Sequence, residues 1–415
     1  MLLKKIKQKK IKVLVVGCGY TGYPLAHAIS SAKINVVGYD INKKLVKILN
    51  KKKNKFLRFV NNLDLINNID IILISLPTPL TKNFEPDLSY IKNFLNVSKK
   101  ILKKNQLMIL ESTTYPGTTD EILHKFLEKN KFKIGKNYFL GYSPERIDPG
   151  RKISFKQISK VCSGSTKKCK ENVNEFYKLF ISNVVNVENN KTAEFVKIFE
   201  NIFRSVNISL VNEMKIISDK FNVNIRDVIN AASTKPYGFM KFEPGPGIGG
   251  HCIPVDPFYL TWKAKEYNIH TRFIELAGEI NNFMPNWIFE KINHELIKKN
   301  LFIKKMKFLL LGASYKKNIS DTRESPSIKF FELFDSNNLN FKYHDPFVKE
   351  LTYKNNFHKK KIRSVKISSS SLKKYDCVII LTDHDCLDYN LIHKYSKLIF
   401  DSRGIYKKSK KVISI

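Results

Sequence analysis

No apolar run in this 415-residue chain approaches the roughly 18–20 residues that a membrane-spanning helix needs. The start, MLLKKIKQKK, is basic but lacks the apolar segment of a secretory signal, so a cytoplasmic location is expected. Cysteine is scarce: Cys18, Cys162, Cys169, Cys252, Cys377 and Cys386 are the whole complement, and no two form a CxxC pair. That excludes a zinc ribbon and a disulfide scaffold, fits a reducing compartment and leaves no metal centre to expect. Arginine is scarcer than the charge suggests, with 9 of the 73 basic residues, and no repeat of fixed period is visible. A specific DNA reader relies on Arg to fork onto phosphates and base edges. The net charge of +36 therefore reads as a compositional bias toward Lys, Asn and Ile, not as a nucleic-acid surface. It also suits an anionic small substrate.

What is present is enough for a packed protein: 43% of residues are hydrophobic and 12% aromatic, so a sizeable core can form over two or three domains. Residues 11–16, IKVLVV, read as a strand ending at a glycine loop, and 20–32 read as a helix. Strands follow at Asn35–Tyr39, Ile69–Leu76, Gln106–Leu110 and Tyr138–Tyr142, with helices at 42–50, 87–104 and 117–129 between them. Such alternation means βαβ units and a doubly wound parallel sheet. From Thr192 to about Phe221 the apolar spacing becomes helical without Gly or Pro, and more helices are expected at 224–233, 256–267 and 273–299. A second α/β unit opens with the strand KFLLL after Met306 and continues through a helix at 326–336. Its further strands are Phe341–Tyr343, Cys377–Leu381 and Leu398–Phe400, and the basic, Ser-rich stretch 354–374 reads as a surface connection. The expected architecture is α/β: Rossmann-like domains at 1–190 and 301–415 joined by a central helical domain at 191–300.

Several motifs carry chemistry. Gly17, Gly19 and Gly22, with Tyr20 and Thr21 between them, form GxGxxG directly after the first strand. The first glycine allows a tight turn, the second a close approach to a pyrophosphate and the third helix–strand packing. Asp40 ends the second strand, where a carboxylate accepts ribose hydroxyls and repels a 2′-phosphate, favouring NAD. Lys43 and Lys44 nearby leave some NADP tolerance open. PGPGIGGHCIPVDP, from Pro244 to Pro257, packs four glycines and four prolines into 14 residues around Cys252 and Asp256. A loop thiol of this kind can attack a carbonyl carbon, although Cys252 read alone fits a buried structural thiol as well. Lys197 and Asn201 share one face of a helix at i, i+4 spacing. Read alone, Lys197 fits a snorkelling side chain. GYSPERIDPG offers Glu145 and Arg146 at a strand end, where a surface ion pair is the simpler reading. ESTTYPGT offers the hydroxyls of Ser112, Thr113 and Thr114, or helix capping. GASYKKNISDTRESPS, in the second α/β unit, offers Lys316 and Arg323, or a solvated loop.

In their order along one chain, these pieces resemble the UDP-glucose/GDP-mannose dehydrogenase family. The matching segments are GCGYTG, PTPL, ESTTYPGTT, SPERIDPG, the Lys197–Asn201 helix, GPGIGGHCIPVDP and SYKKNISDTRESPS. PTPLTKNFEPDLSY and HCIPVDPFYLTWKA are most similar to the branch acting on UDP-N-acetylhexosamines, in particular N-acetylglucosamine 6-dehydrogenases. Val255, where UDP-glucose enzymes carry a Lys before the aspartate, departs from that other branch.

The resemblance implies a four-electron oxidation of a sugar C6 alcohol with NAD. Cys252 would be the nucleophile that forms a thiohemiacetal and then a thioester. Asp256 and Lys197 would serve the first deprotonation, Lys197 and Asn201 would stabilise the C6 oxygen, and Glu145 with Thr113 would serve thioester hydrolysis. Gly17, Gly19, Tyr20, Thr21, Gly22, Asp40, Thr78, Thr113 and Arg323 fall on the cofactor side. Glu145, Arg146, Lys197, Asn201, Gly245, Gly249, Tyr315 and Lys316 fall on the UDP-sugar side. The basic residue that the family places after the strand-2 aspartate is replaced here by Leu45, with Lys44 adjacent. A homodimer through the central helices is implied too. UDP-N-acetylmannosamine, UDP-N-acetylgalactosamine and a non-catalytic nucleotide-binding paralogue stay open.

Overall fold

The structure, a computed structural model, describes residues 1–148, 153–355 and 358–415. The chain divides into two compact units, Met1–Glu200 with Phe258–His270 and Asn201–Pro257 with Thr271–Ile415.

The first unit is built on a sheet of β1 (Lys12–Val16), β2 (Asn35–Tyr39), β3 (Leu57–Val60), β4 (Ile71–Ile74), β5 (Leu107–Leu110) and β6 (Phe139–Tyr142). Their order is β3-β2-β1-β4-β5-β6 and every pairing is parallel. That is the doubly wound dinucleotide-binding order, whose switch point lies between β1 and β4. Every residue of β4 and β5 is buried, which is why these strands read as unbroken apolar runs instead of alternating. Val13, Val15, Ile71, Leu73, Leu107 and Ile109 meet Leu25, Ala26 and Ile29 of the helix Gly22–Ser31 in one core. The basic start forms a short helix, Leu2–Lys7, that contributes Leu2 and Ile6 to this core. A small parallel pair, β7 (Lys160–Cys162) and β8 (Val184–Asn186), follows.

The second unit carries β9 (Lys307–Leu311), β10 (Asn340–His344), β11 (Glu350–Asn355), β12 (His358–Arg363), β13 (Cys377–Ile380), β14 (Leu398–Asp401) and β15 (Val412–Ser414). Its sheet, β10-β9-β13-β14-β15, is again all parallel. One face packs on Phe330, Phe331 and Phe334 and on Ile288, Ile292 and Leu296 of the helix Arg272–Ile297. The other face is covered by Leu372, Leu387 and Ile392. The central helix runs 31 residues, from Asn190 to Lys220.

Three expectations need correction. The stretch 354–374 is not a plain connection: β11 and β12 pair antiparallel, and Ser369–Leu372 is a turn of helix. Leu351 and Tyr353 are buried while Thr352 and Lys354 face solvent, but β12 reads HKKKIR and its lysines hide the period-2 signal. The helix at 87–104 is shorter, Ser89–Ser98 plus one tight turn. The helix at 117–129 begins with a wide-turned segment, Thr119–His124, before regular helix at Lys125–Lys129. Of the SPERIDPG motif, Pro149 and Gly150 lie outside the described residues. Among the described residues no helix is long and apolar enough to cross a membrane.

Candidate active site

The dinucleotide loop sits at the switch point of the first sheet. Gly17 turns with φ +86°, and a Cβ there would stand 2.4 Å from the Ser75 carbonyl oxygen at the end of β4. A Cβ on Gly22 would stand 1.8 Å from the Gly17 carbonyl oxygen, so the helix can start this close only on glycine. Thr21 Oγ1 and Ser75 Oγ lock the turn at 2.7 Å. Gly19 differs: a Cβ would meet no protein atom within 4 Å. Nothing among the described residues demands glycine there, and the open space suits the close approach of a pyrophosphate. Asp40 Oδ2 accepts from Cys18 N–H and Oδ1 from Asn42 N–H, both at 2.9 Å, which fixes the carboxylate beside the loop. Each oxygen keeps a second lone pair for a ribose hydroxyl. The loop therefore fits NAD.

Behind β5 and β6 lies a buried polar cluster. Glu145 Oε1 accepts from the N–H groups of Arg146 and Ile147, at 2.6 and 2.9 Å. Its Oε2 lies 3.4 Å from Lys160 Nζ, which also donates to Glu111 Oε2 at 2.5 Å. Tyr177 hydroxyl donates to Glu111 Oε1. Burial pushes the Glu111 carboxyl up to about 7 against the pull of Lys160, because one ammonium faces two carboxylates. Arg146 does not pair with Glu145: its guanidinium holds Glu200, with Nε at 3.3 Å from Oε2, and donates to the Ser159 carbonyl. Thr78 hydroxyl donates to the Thr113 carbonyl at 2.8 Å, tying the β4 and β5 loops. Ser112 bonds the Leu76 carbonyl and caps no helix. Glu194 of the central helix takes the capping role instead, accepting from Gly117 N–H and Thr119 N–H. Lys197, on the same helix, is buried.

In the second unit Cys252 is exposed on its loop, contrary to the reading as a buried structural thiol. Asp256 N–H donates to the Cys252 carbonyl at 2.8 Å, so the cysteine ends the loop where the helix Asp256–Ala264 begins. The Asp256 carboxylate is buried and accepts from Asn201 Nδ2 at 2.7 Å. Gly249 and Gly250 lie under Tyr315, with built Cβ positions 2.4 Å from its Cβ and 2.9 Å from its Cζ. Gly250 N–H donates to the Arg323 carbonyl at 2.9 Å. Gly245 N–H donates to Asn212 Oδ1, and Asn212 in turn donates to Asn281 Oδ1. The Arg323 guanidinium forks onto Asp321. Lys316 is half-buried beside Tyr315. Burial, with Arg323 adding, holds the His251 imidazole below its ordinary value.

Glu111, Lys160 and Arg226 escaped the reading of the sequence. Glu111 stands in the ESTTYPGT motif, and Lys160 opens an otherwise apolar strand, KVC, where a lone Lys was the available signal. Arg226 bonds Glu243, the Pro244 carbonyl and the Ser402 carbonyl, bracing the start of the Gly/Pro loop.

A dinucleotide cradle in one parallel-sheet unit and an exposed cysteine beside a buried Asn–Asp pair in the other define a nucleotide-dependent oxidoreductase. The family models agree: residues 51–181, 191–283 and 309–408 match the NAD binding, central and UDP binding domains of the UDP-glucose/GDP-mannose dehydrogenase family. The chain is 35% identical to Protein CapL of Staphylococcus aureus, over 95% of this chain and 96% of that one. It is 34% identical to a UDP-N-acetyl-D-glucosamine 6-dehydrogenase of Pseudomonas aeruginosa, over 82% and 84%. The solved UDP-D-ManNAc dehydrogenase of Pyrococcus horikoshii superposes with a TM-score of 0.86 at 29% identity, covering 96% of this chain and 97% of that one. The chain belongs to the UDP-glucose/GDP-mannose dehydrogenase family, and it is an NAD-dependent nucleotide-sugar dehydrogenase.

Two predictions follow from this geometry. Asp40→Ala should weaken NAD binding about 10-fold or more, the worth of a hydrogen bond to a charged group; titration calorimetry giving the wild-type affinity would remove Asp40 as the ribose ligand. The raised Glu111 value carries a sign: its stabilising contribution is complete below the unfolded value of 4.5 and is lost as pH rises through about 7. Glu111→Gln keeps an acceptor for Lys160 and offers Tyr177 a donor, so its melting temperature should fall less than the wild type's between pH 5 and 8. Parallel curves would contradict the titration.

Proposed function

We propose that the chain oxidises the C6 alcohol of a UDP-N-acetylhexosamine, UDP-N-acetylglucosamine in first place, to the uronic acid through a cysteine thioester. The observation that carries this reading is the exposed Cys252 four residues before the buried Asp256, which is held by Asn201. Gly17, Gly19, Tyr20, Thr21, Gly22, Asp40, Thr78, Thr113 and Arg323 serve the cofactor. NAD when bound supplies the acceptor for one hydride at each of two oxidations. Asp256, acting with Lys197, takes the C6 hydroxyl proton in the first. Lys197 and Asn201 place positive charge and an N–H donor at the C6 oxygen as negative charge develops on it. Cys252 thiolate then adds to the aldehyde carbon, giving a thiohemiacetal, which the second oxidation converts to a thioester. Glu145, supported by Thr113, takes a proton from the water that attacks the thioester, and the carbon–sulfur bond breaks to return Cys252. The balance is one alcohol, one water and two NAD in, and one carboxylate, two NADH and three protons out.

For the UDP-sugar, Gly245, Gly249, Tyr315, Lys316 and Arg146 are the proposed contacts. Arg146 serves through the Glu200 pair, which sets its position beside Glu145. N-acetylglucosamine is supported by the Pseudomonas relative and by the PTPLTKNFEPDLSY and HCIPVDPFYLTWKA segments. The Pyrococcus structure favours a second reading, N-acetylmannosamine, which differs at C2 alone. The proposed segments are 1–190 for the cofactor, 191–300 for assembly and 301–415 for the UDP-sugar. A homodimer belongs to the same reading. Phe203, Leu210, Met214, Ile217 and Phe221 form a stripe of exposed apolar side chains along the central helix, and Phe273, Leu276 and Phe283 are exposed on the helix Arg272–Ile297. Apolar faces of this extent are covered by a partner in stable assemblies, and a second copy is the partner proposed.

The deciding assay follows NADH at 340 nm with UDP-N-acetylglucosamine, -mannosamine, -galactosamine and UDP-glucose. The expectation is two NADH per UDP-N-acetylglucosamine and none from Cys252→Ala beyond the first oxidation; full uronate from that variant would remove the thioester route. Two NADH with another sugar would keep the chemistry and move the substrate. Light scattering of the purified protein should give twice the chain mass, and Phe203→Glu/Phe221→Glu should shift it toward one; a wild-type monomer at micromolar concentration would refute the dimer.

A further inference from the structure

We propose that Lys160 is the positioning residue for Glu145, held in place for that task by Glu111 and Tyr177. The inference rests on the reading of Glu145 as the residue that serves thioester hydrolysis. An ammonium has three N–H donors and no acceptor. All three of Lys160's are used: toward Glu111 Oε2 at 2.5 Å, the Pro144 carbonyl at 3.0 Å and Glu145 Oε2 at 3.4 Å. Two of those acceptors belong to the Pro144–Glu145 dipeptide, so the lysine grips both the backbone that presents Glu145 and its carboxylate. Glu145's other oxygen is pinned by the N–H groups of Arg146 and Ile147. The carboxylate is thereby fixed from both sides, as a base that must meet a water in one orientation requires.

The lysine itself has no freedom. Its side chain is 2% exposed, Glu111's is fully buried, and Tyr177 closes the chain with its hydroxyl on Glu111 and its ring 5.4 Å from Nζ. Sequence separation argues against an accident of local packing. Glu111 follows β5, Glu145 follows β6, Lys160 opens β7 and Tyr177 lies on the helix Lys167–Lys178, so four elements converge on one ammonium. A buried ion pair of this kind adds little stability over an apolar substitute. Here it aims a third group. Other ionisable neighbours are Cys162, whose thiol burial pushes up to about 12, and Arg146, next along the chain from Glu145, whose guanidinium is paired with Glu200.

The test is the fate of the acyl-enzyme in Lys160→Met, in Lys160→Met/Glu111→Gln, which removes the fully buried Glu111 charge along with its partner, and in Glu145→Gln. With the full chain, NAD and the UDP-sugar that turns over, the expected result is a normal first burst of NADH in all three. Thioester hydrolysis then slows about 10²-fold, the effect of misplacing a catalytic group. Intact-mass measurement shows the acyl adduct on Cys252, kcat falls and KM does not rise. Lys160→Arg, which keeps the cation, recovers part of the rate. If Glu145→Gln accumulates the adduct while both Lys160 variants turn over without it, the positioning role is overturned and the Glu145 reading stands. If the Lys160 variants lose the first oxidation as severely as the hydrolysis, the residue is merely structural and the inference fails. If Glu145→Gln hydrolyses its thioester normally, the reading of Glu145 fails, and the inference with it.

Discussion

Both sheets hang on one constraint: a glycine that must turn left-handed where the first strand ends against the next strand of the sheet. Gly17 does this at φ +86° beside Ser75, and Gly312 at φ +97° beside Thr382, where a Cβ would stand 2.3 Å from the Thr382 Cβ. In each case the glycine N–H donates to the last residue of the second strand, Tyr39 or His344, at 2.9 Å. In each case an aspartate one residue further on, Asp40 or Asp345, accepts the N–H that follows the glycine. The turn thus sets the relation of three strands and a carboxylate at once. The two halves then diverge. Asp40 stays partly accessible, as its proposed role toward the ribose requires, whereas Asp345 is buried and gives its remaining capacity to His384 and to the N–H groups of Phe347 and Val348. One backbone device serves a dinucleotide in the first half and an internal brace in the second.

The polar interior of the first unit follows a related logic. A parallel sheet buries both its faces, so any charge behind it must be paired from within. Lys160 meets that demand with three acceptors, and Glu194 meets it by capping the segment Thr119–His124 with two backbone donors and the Thr119 hydroxyl. In the second unit the amides Asn201, Asn212 and Asn281 do the same work without charge, passing hydrogen bonds from the central helix to Asp256 and to the Gly/Pro loop. Of the side chains proposed for the chemistry, Cys252 is exposed and Thr113 half-buried, whereas Glu145, Lys197, Asn201 and Asp256 are buried among the groups that hold them.

That division explains what could be read from the sequence. The central strands of both sheets were legible because burial on two faces leaves runs such as IDIILISL and CVIIL, which little else in a chain resembles; the edge strands β3 and β15 were not read. The glycine loop, Asp40, Cys252, Asp256 and the Lys197–Asn201 spacing were legible because each stands in a motif of fixed order. β12 was missed because it is mostly lysine, which blurs the contrast on which period-2 reading depends, and β3, LRFV, because four residues are too short a run to stand out. Glu111 and Lys160 were missed for a different reason. They are 49 positions apart, and beyond a lone Lys opening the short strand KVC nothing marks them as a pair until β5 and β7 bring them together.

The same compositional bias makes the rare arginines informative. Lysine can supply charge wherever geometry is loose, and four of the nine arginines stand where a planar fork with directed donors is used. Arg146 spans Glu200 and the Ser159 carbonyl; Arg226 joins Glu243 to the Pro244 and Ser402 carbonyls. Arg323 clasps both oxygens of Asp321, and Arg403 reaches Asp383 beside Gly245, whose missing Cβ would stand 2.7 Å from its Nη1. All four border the segments that carry Glu145 or the Gly/Pro loop. No ammonium could replace Arg226, because its three acceptors are spread over two segments of chain, Glu243–Pro244 and Ser402, and need donors pointing in different directions. Lys160 is the counter-example that fits the same rule: its three acceptors converge on a point, which suits a compact ammonium and not a fork.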